Sequence, residues 1–276
     1  MRAGGSVRLS VVVPAYNEAD YLPATLASLF QQDYAGGYEV IVVDNASTDD
    51  TAGVAARLGA RVLQETTPGV CAARQRGADA ALGAVVVSTD ADTVHPTDWL
   101  TRLDAHFADP GVAAVAGPCR YADAPWWARV VPPLWFAAIA VVHRLTGQLC
   151  YLTATNVAFR RAGFPGYDTS LTQGGDEVDL LRRLRGCGRI VWDARNPVWT
   201  SSRRMDQGLL HTLVVSFGYH YALNLVRSRV SPGRPMTVAP PIRREQIASS
   251  RRRRRRWRTG SALVVLGAVL TRYRSR

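Results

Sequence analysis

Two aspartates separated by one alanine, Asp90 and Asp92, close the run VVVSTDAD, and a second acidic pair, Asp176 and Glu177, opens DEVDLLRRLRGCG. Like charges so close at the end of a buried strand repel, so a cation is expected beside them. Paired oxygen ligands suit a hard divalent ion, Mg²⁺ or Mn²⁺, which keeps its other positions for water and substrate phosphates. A phosphate-bearing substrate is the natural partner of such a pair. A carboxylate near a helix start can instead take a proton from a hydroxyl. Plainer readings stand beside these. A lone DAD is more often a solvated turn, and acidic residues at a helix N-terminus are favoured by the dipole alone.

The elements that would position these groups alternate through the first half. Residues 7–13, 38–43, 60–65, 84–88 and 112–117 read as strands, and apolar residues at helical spacing fill the stretches between them. Short connections between alternating strands and helices imply a mostly parallel sheet covered by helices, with ligands at the carboxyl ends of the strands. There the sequence places PAYNE (14–18), DNASTDDT (44–51) and DADTVHP (90–96). In the second of these, Ser47 is expected to cap the following helix, with Asp49 and Asp50 in its first turn. No GxGxxG, GxxxxGK[ST] or GxSxG occurs, which argues against dinucleotide, P-loop and α/β-hydrolase chemistry.

The strand-end segments, in this order and spacing, resemble family 2 glycosyltransferases: VVVPAYNE, VIVVDNASTDDT, GVCAARQRGADAALG, VVVSTDAD and GGDEVDLLRRLRGCGRI. The resemblance spans about residues 7–205. It implies a GT-A fold, a Rossmann-like mostly parallel sheet with a smaller acceptor-side part. It also implies inverting transfer from a nucleotide-diphosphate sugar, a UDP- or GDP-sugar, to an acceptor hydroxyl. By position, Pro14, Tyr16, Glu18, Asp44 and Arg74 fall to nucleotide-sugar binding, with Gln75 where asparagine is usual. Asp90 and Asp92 are the DxD pair, Asp92 being the nearer to a direct metal ligand. Arg203 and Arg204 follow the last strand and are candidates for the diphosphate. The acidic order of the family is reversed here, which leaves the base between Asp176 and Glu177; alignment on Asp179–Leu180 favours Glu177. The QxxRW segment of processive members is absent, which disfavours polymerisation. A polyprenyl-phosphate glycosyltransferase and an inactive nucleotide-sugar-binding subunit are the alternatives.

The chain has 276 residues and a formal charge of +12. Residues 243–276 hold twelve arginines against one glutamate, so the body is nearly neutral and the basicity belongs to a tail. That argues against a nucleic-acid partner. RRRRRRWR (251–258) beside the apolar 261–270 suits a peripheral, cytoplasmic-face contact with anionic lipid. The reading is of a glycosyltransferase domain over 1–230, its nucleotide half to about 117, then a linker and membrane-associating tail over 231–276. The aromatic stretch 125–145 is expected to shape the acceptor site, for a sugar, lipid-linked or small-molecule acceptor, with core packing the default role of its tryptophans. No stretch reaches the ~20 apolar residues of a membrane span; 130–142 and 262–270 come nearest. The N-terminal LSVVV is too short for a signal peptide, and four scattered cysteines without a CxxC are expected to be reduced thiols.

Overall fold

The structure is a computed structural model that describes residues 6–122, 124–171 and 175–203. Arg204, the amphipathic helix expected over 206–229 and the basic tail lie outside the described residues.

Seven strands form the main sheet: β1 (Val7–Ala15), β2 (Gly37–Asp44), β3 (Arg61–Gln64), β4 (Val85–Ser88), β6 (Val112–Ala116), β8 (Val157–Arg160) and β9 (Arg189–Trp192). Their order is β3-β2-β1-β4-β8-β6-β9. All run parallel except β8, which lies antiparallel between β4 and β6. Val11, Val12 and Val13 of β1 and the valines of β2 and β4 are buried on both faces, as continuous apolar runs in a covered sheet require. The sequence departs from β1 towards β2 on one side and resumes with β4 on the other. The crevice beyond the carboxyl ends of β1 and β4 is therefore the switch point at which such sheets bind ligands.

Helices α1 (Leu22–Phe30), α2 (Thr51–Arg57), α3 (Val70–Ala80), α4 (Trp99–His106), α5 (Val131–Thr146) and α6 (Asp176–Arg185) complete the described part. Helix α3 packs on β1 and β2. Gly77 allows that approach, because a Cβ there would run into the Val12 side chain. A second sheet, β5 (Thr93–Val94), β10 (Val198–Ser201) and β7 (Cys119–Ala122), was not foreseen. It starts immediately after Asp92, and Ser201 N–H donates to the Asp92 carbonyl at 3.2 Å.

Two expectations are corrected. Helix α2 starts at Thr51, so Ser47 is not its cap; the Ser47 hydroxyl accepts from Asn17 N–H, and the Asp49 carboxylate accepts from Thr51 N–H. A 3₁₀ turn, Trp126–Arg129, leads into α5, and together they make a 21-residue segment, Trp126–Thr146, long and apolar enough to cross a membrane. Counting an unbroken apolar run stopped at Arg129 and His143, whereas a helix of this hydropathy tolerates a few polar residues.

A buried polar knot ties the two halves together. Asn156, fully buried on the loop before β8, accepts from Trp99 Nε1 at 3.0 Å and donates to the carbonyls of Pro118 and Asn196. His95 lies 4.1 Å from the Trp99 ring, with its nitrogens on Ser28 Oγ and Thr89 Oγ1. Burial pushes this imidazole down from 6.5 to about 3. Its folded value lies below its unfolded one, so the stability it protects is complete above about pH 6.5. That stability is lost as the pH falls from there towards 3. Urea unfolding between pH 6.5 and 5 should show a decline of about 1 kcal/mol per pH unit from this group. A His95→Gln chain, less stable at neutrality, should decline correspondingly less.

Candidate active site

The loops after β1 and β2 are stitched to each other. Asn17 Oδ1 accepts from Thr48 N–H at 2.8 Å, Glu18 N–H donates to Thr51 Oγ1 at 2.9 Å, and Ala19 N–H donates to Asp49 at 3.2 Å. Asn17 and Ala46 both adopt left-handed backbone, φ 54° and 59°. Asparagine tolerates this, but alanine does so at a cost of about 1 kcal/mol, a strain typical of ligand-binding loops. Asp44 ends β2 buried, its Oδ1 accepting from Ser47 N–H at 3.2 Å. Asn45 binds the carbonyls of Glu65 and Thr67 and accepts from Gly69 N–H, fixing the approach to α3. Pro14 lies in β1 opposite Val43, and Tyr16 follows at the strand end, half-buried.

The cation demanded by the acidic pair is supplied by arginine, twice. Arg74 of α3, only 5% exposed, donates to Asp90 Oδ1 and Asp176 Oδ2, both at 2.9 Å. Arg203 stands 2.9 Å from Asp92 Oδ2 and makes a two-pronged pair with Glu18 at 2.6 and 3.0 Å. Its guanidinium lies 5.0 Å from the Tyr21 ring centre. Burial raises the Glu18 carboxyl, against the opposing pull of Arg203. The structure thus brings Glu18, Arg74, Asp90, Asp92, Asp176, Glu177 and Arg203 to the carboxyl edge of the sheet.

Several contributors were not singled out from the sequence. Thr155 Oγ1 donates to Asp90 Oδ2 at 2.5 Å, and Thr200 Oγ1 to Asp92 Oδ1 at 3.2 Å. Tyr151 donates its hydroxyl to Glu177 Oε2 at 2.8 Å, and Ala154 N–H reaches Oε1 at 3.2 Å. The polar run TATN before β8 was the signal for this loop. Burial, then the neighbouring Asp176 charge, raises Glu177 from 4.5 to about 7, although hydrogen bonds from Tyr151, Thr153 and Ala154 pull it down. Gln75 accepts from Tyr167 N–H at 2.7 Å, so it braces the segment before α6.

The sequence profile of Glycosyl transferase family 2 matches residues 10–165. The chain belongs to that family. An uncharacterised glycosyltransferase of Mycobacterium tuberculosis is 37% identical to it over 175 residues, 59% of this chain and 77% of that one. A Pyrobaculum calidifontis mannosyltransferase, solved with GDP-mannose and Mn²⁺, superposes with a TM-score of 0.59 at 22% identity, covering 96% of this chain and 84% of its own. Glucosyl-3-phosphoglycerate synthase of M. tuberculosis, with Mn²⁺, UDP and glucosyl-3-phosphoglycerate, gives a TM-score of 0.51 at 25% identity and covers 73% and 74%. The GT-A architecture expected from the sequence is the one observed, and the protein is a glycosyltransferase.

Among the described residues of this glycosyltransferase, no three carboxylate, histidine or cysteine side chains converge as a metal site. The residues nevertheless fit a divalent ion. Mg²⁺-type ions are commonly held by one or two carboxylates and completed by substrate phosphates. Five carboxyl groups lie here beside two guanidiniums among the described residues, an imbalance that a divalent ion would offset. Asp92 and Asp90 are the residues that would hold it.

Arg74 is the group whose loss leaves buried charge uncompensated. Arg74→Gln should lower the unfolding free energy by about 3–5 kcal/mol in urea titration. Arg74→Lys should recover only part of that, because one ammonium cannot fork to both carboxylates.

Proposed function

We infer that this glycosyltransferase moves a sugar from a nucleotide-diphosphate donor, a UDP- or GDP-sugar, to an acceptor hydroxyl by single displacement with inversion. The observation that carries the reading is Glu177. Its carboxyl group is aimed by Tyr151 and Ala154, and burial, then the Asp176 charge, raises it to about 7. It sits one residue from Asp176, which connects through Arg74 to Asp90. A base is most effective when its pKa lies near the working pH. Asp176 is already committed to Arg74, so Glu177 is the base and Asp176 the residue that positions it.

Glu177 takes the acceptor proton as the acceptor oxygen attacks the anomeric carbon and the diphosphate departs from the opposite face. Mg²⁺ or Mn²⁺ at Asp92 and Asp90 supplies Lewis-acid stabilisation of that leaving group when bound. Arg203 lies beside Asp92 and can turn a donor N–H to the diphosphate, with Arg204 next to it in sequence. Pro14, Tyr16 and Asp44 line the edge assigned to the nucleotide, and the loop stitched by Asn17 and Thr51 holds them in register. The Mn²⁺ and nucleotide contents of the two structural neighbours support both the donor class and the ion. Peripheral attachment to the cytoplasmic face of a membrane through residues 251–258 belongs to the same reading.

Transfer should require the ion. EDTA should abolish product formation, followed by released nucleotide diphosphate, and added Mn²⁺ or Mg²⁺ should restore it; full activity after chelation sinks the metal assignment. Because the base must be deprotonated, kcat/KM should rise through about pH 7 and level above it. Tyr151→Phe removes a hydrogen bond that favours the carboxylate, so the rising limb should move to higher pH. Glu177→Gln should lower kcat by about 10²–10⁴-fold with donor affinity retained.

A further inference from the structure

Helix α5 carries two apolar stripes. One, formed by Pro132, Phe136 and Ile139, is buried in the domain. Phe136 stacks on Trp192 of β9 at 5.8 Å and lies 6.2 Å from the Tyr151 ring. The other stripe is open. Leu134 is 65% exposed, Val141 56% and Leu145 79%, and Trp126 at the head of the segment is 78% exposed. Spacings of seven and four residues put the three aliphatic side chains on one face. A helix apolar on both sides is unusual at a water-facing surface, and such open patches mark protein or membrane contacts.

Charge selects the occupant. No aspartate or glutamate occurs from residue 124 to 167, while Arg129 and Arg144 flank the helix. Two copies joined symmetrically through this face would set arginines against one another, with no acid in this stretch to compensate. An anionic lipid surface complements the same pattern, and an exposed tryptophan at the edge suits the bilayer interface. The buried stripe is part of the domain core, so this helix lies along an interface rather than through it. At its root is a cleft of about 450 Å³ lined by Arg120, Tyr121, Arg129, Pro133 and Trp199. The Arg120 guanidinium lies 5.7 Å from the Trp199 ring centre. Two guanidiniums beside an indole, next to an apolar face, suit a lipid phosphate.

We propose that α5 and this cleft dock the protein on an anionic membrane, and that the acceptor is a membrane-borne lipid. The second part rests on the glycosyl-transfer reading. The helix that meets the bilayer also packs, through Trp135 and Phe136, against the tyrosine that holds Glu177. A lipid acceptor therefore needs to rise only one side-chain layer to reach the base.

Flotation of the full chain with phosphatidylcholine vesicles containing about 30% phosphatidylglycerol tests the docking without reference to turnover. The Leu134→Glu/Val141→Glu chain should float about tenfold less, with donor hydrolysis and thermal midpoint unchanged. Equal flotation of this variant overturns the proposal. So does a wild-type dimer that the same substitutions dissociate, which assigns the face to a second copy. A lowered midpoint with flotation unchanged assigns it to residues 204–276 of the chain itself and also overturns it. With docking established, transfer to a short-chain soluble acceptor at a rate equal to that with a vesicle-borne one overturns the acceptor half alone. Absence of any donor turnover would defeat the glycosyl-transfer reading and leave the docking result standing.

Discussion

Arg74 lies almost wholly inside the protein with one arm on Asp90, at the end of β4, and the other on Asp176, at the start of α6. A guanidinium taken out of water is tolerable only when its partners are placed for it, and removing any partner strands the rest. This single contact therefore couples three segments far apart in sequence. Helix α3 must ride close on β1 to deliver the arginine, which Gly77 permits. Helix α6 must begin where Asp176 meets it, and this fixes Glu177 on the next residue against Tyr151 and Ala154.

A second guanidinium repeats the arrangement on the other side. Arg203 joins Asp92 to Glu18, and so joins the small sheet to the loop after β1. The two acidic side chains of the DxD element thus face different arginines. Their environments differ in consequence: Asp90 is bound into the Arg74–Asp176 chain and to Thr155, whereas Asp92 belongs with β10. The excess of carboxyl groups over guanidiniums among the described residues makes this crevice rich in acid.

Helix α5 shows the same economy. Its buried stripe supports Tyr151 and hence Glu177, while Leu134, Val141 and Leu145 on its other side are exposed. An exposed apolar stripe and the Glu177 carboxyl group are separated by one layer of aromatic rings.

Much of this was legible in the chain itself. Apolar runs of β1, β2 and β4 with helices between them dictated a parallel sheet, because such runs satisfy only strands buried on both faces. The strand-end acids and the Asp176–Glu177 pair were visible because carboxylates beside buried strands need a reason to be there. What the sequence could not show was partnership. Whether Arg74 faces a nucleotide or two carboxylates, which acid of the second pair is tied and which is poised, and that Thr155 and Tyr151 complete the site depend on contacts between residues 16 to 102 positions apart. Local periodicity carries no information about such contacts. Tertiary packing decides them, because burial makes each unpaired charge costly and so selects the one arrangement in which the arginines and carboxylates meet.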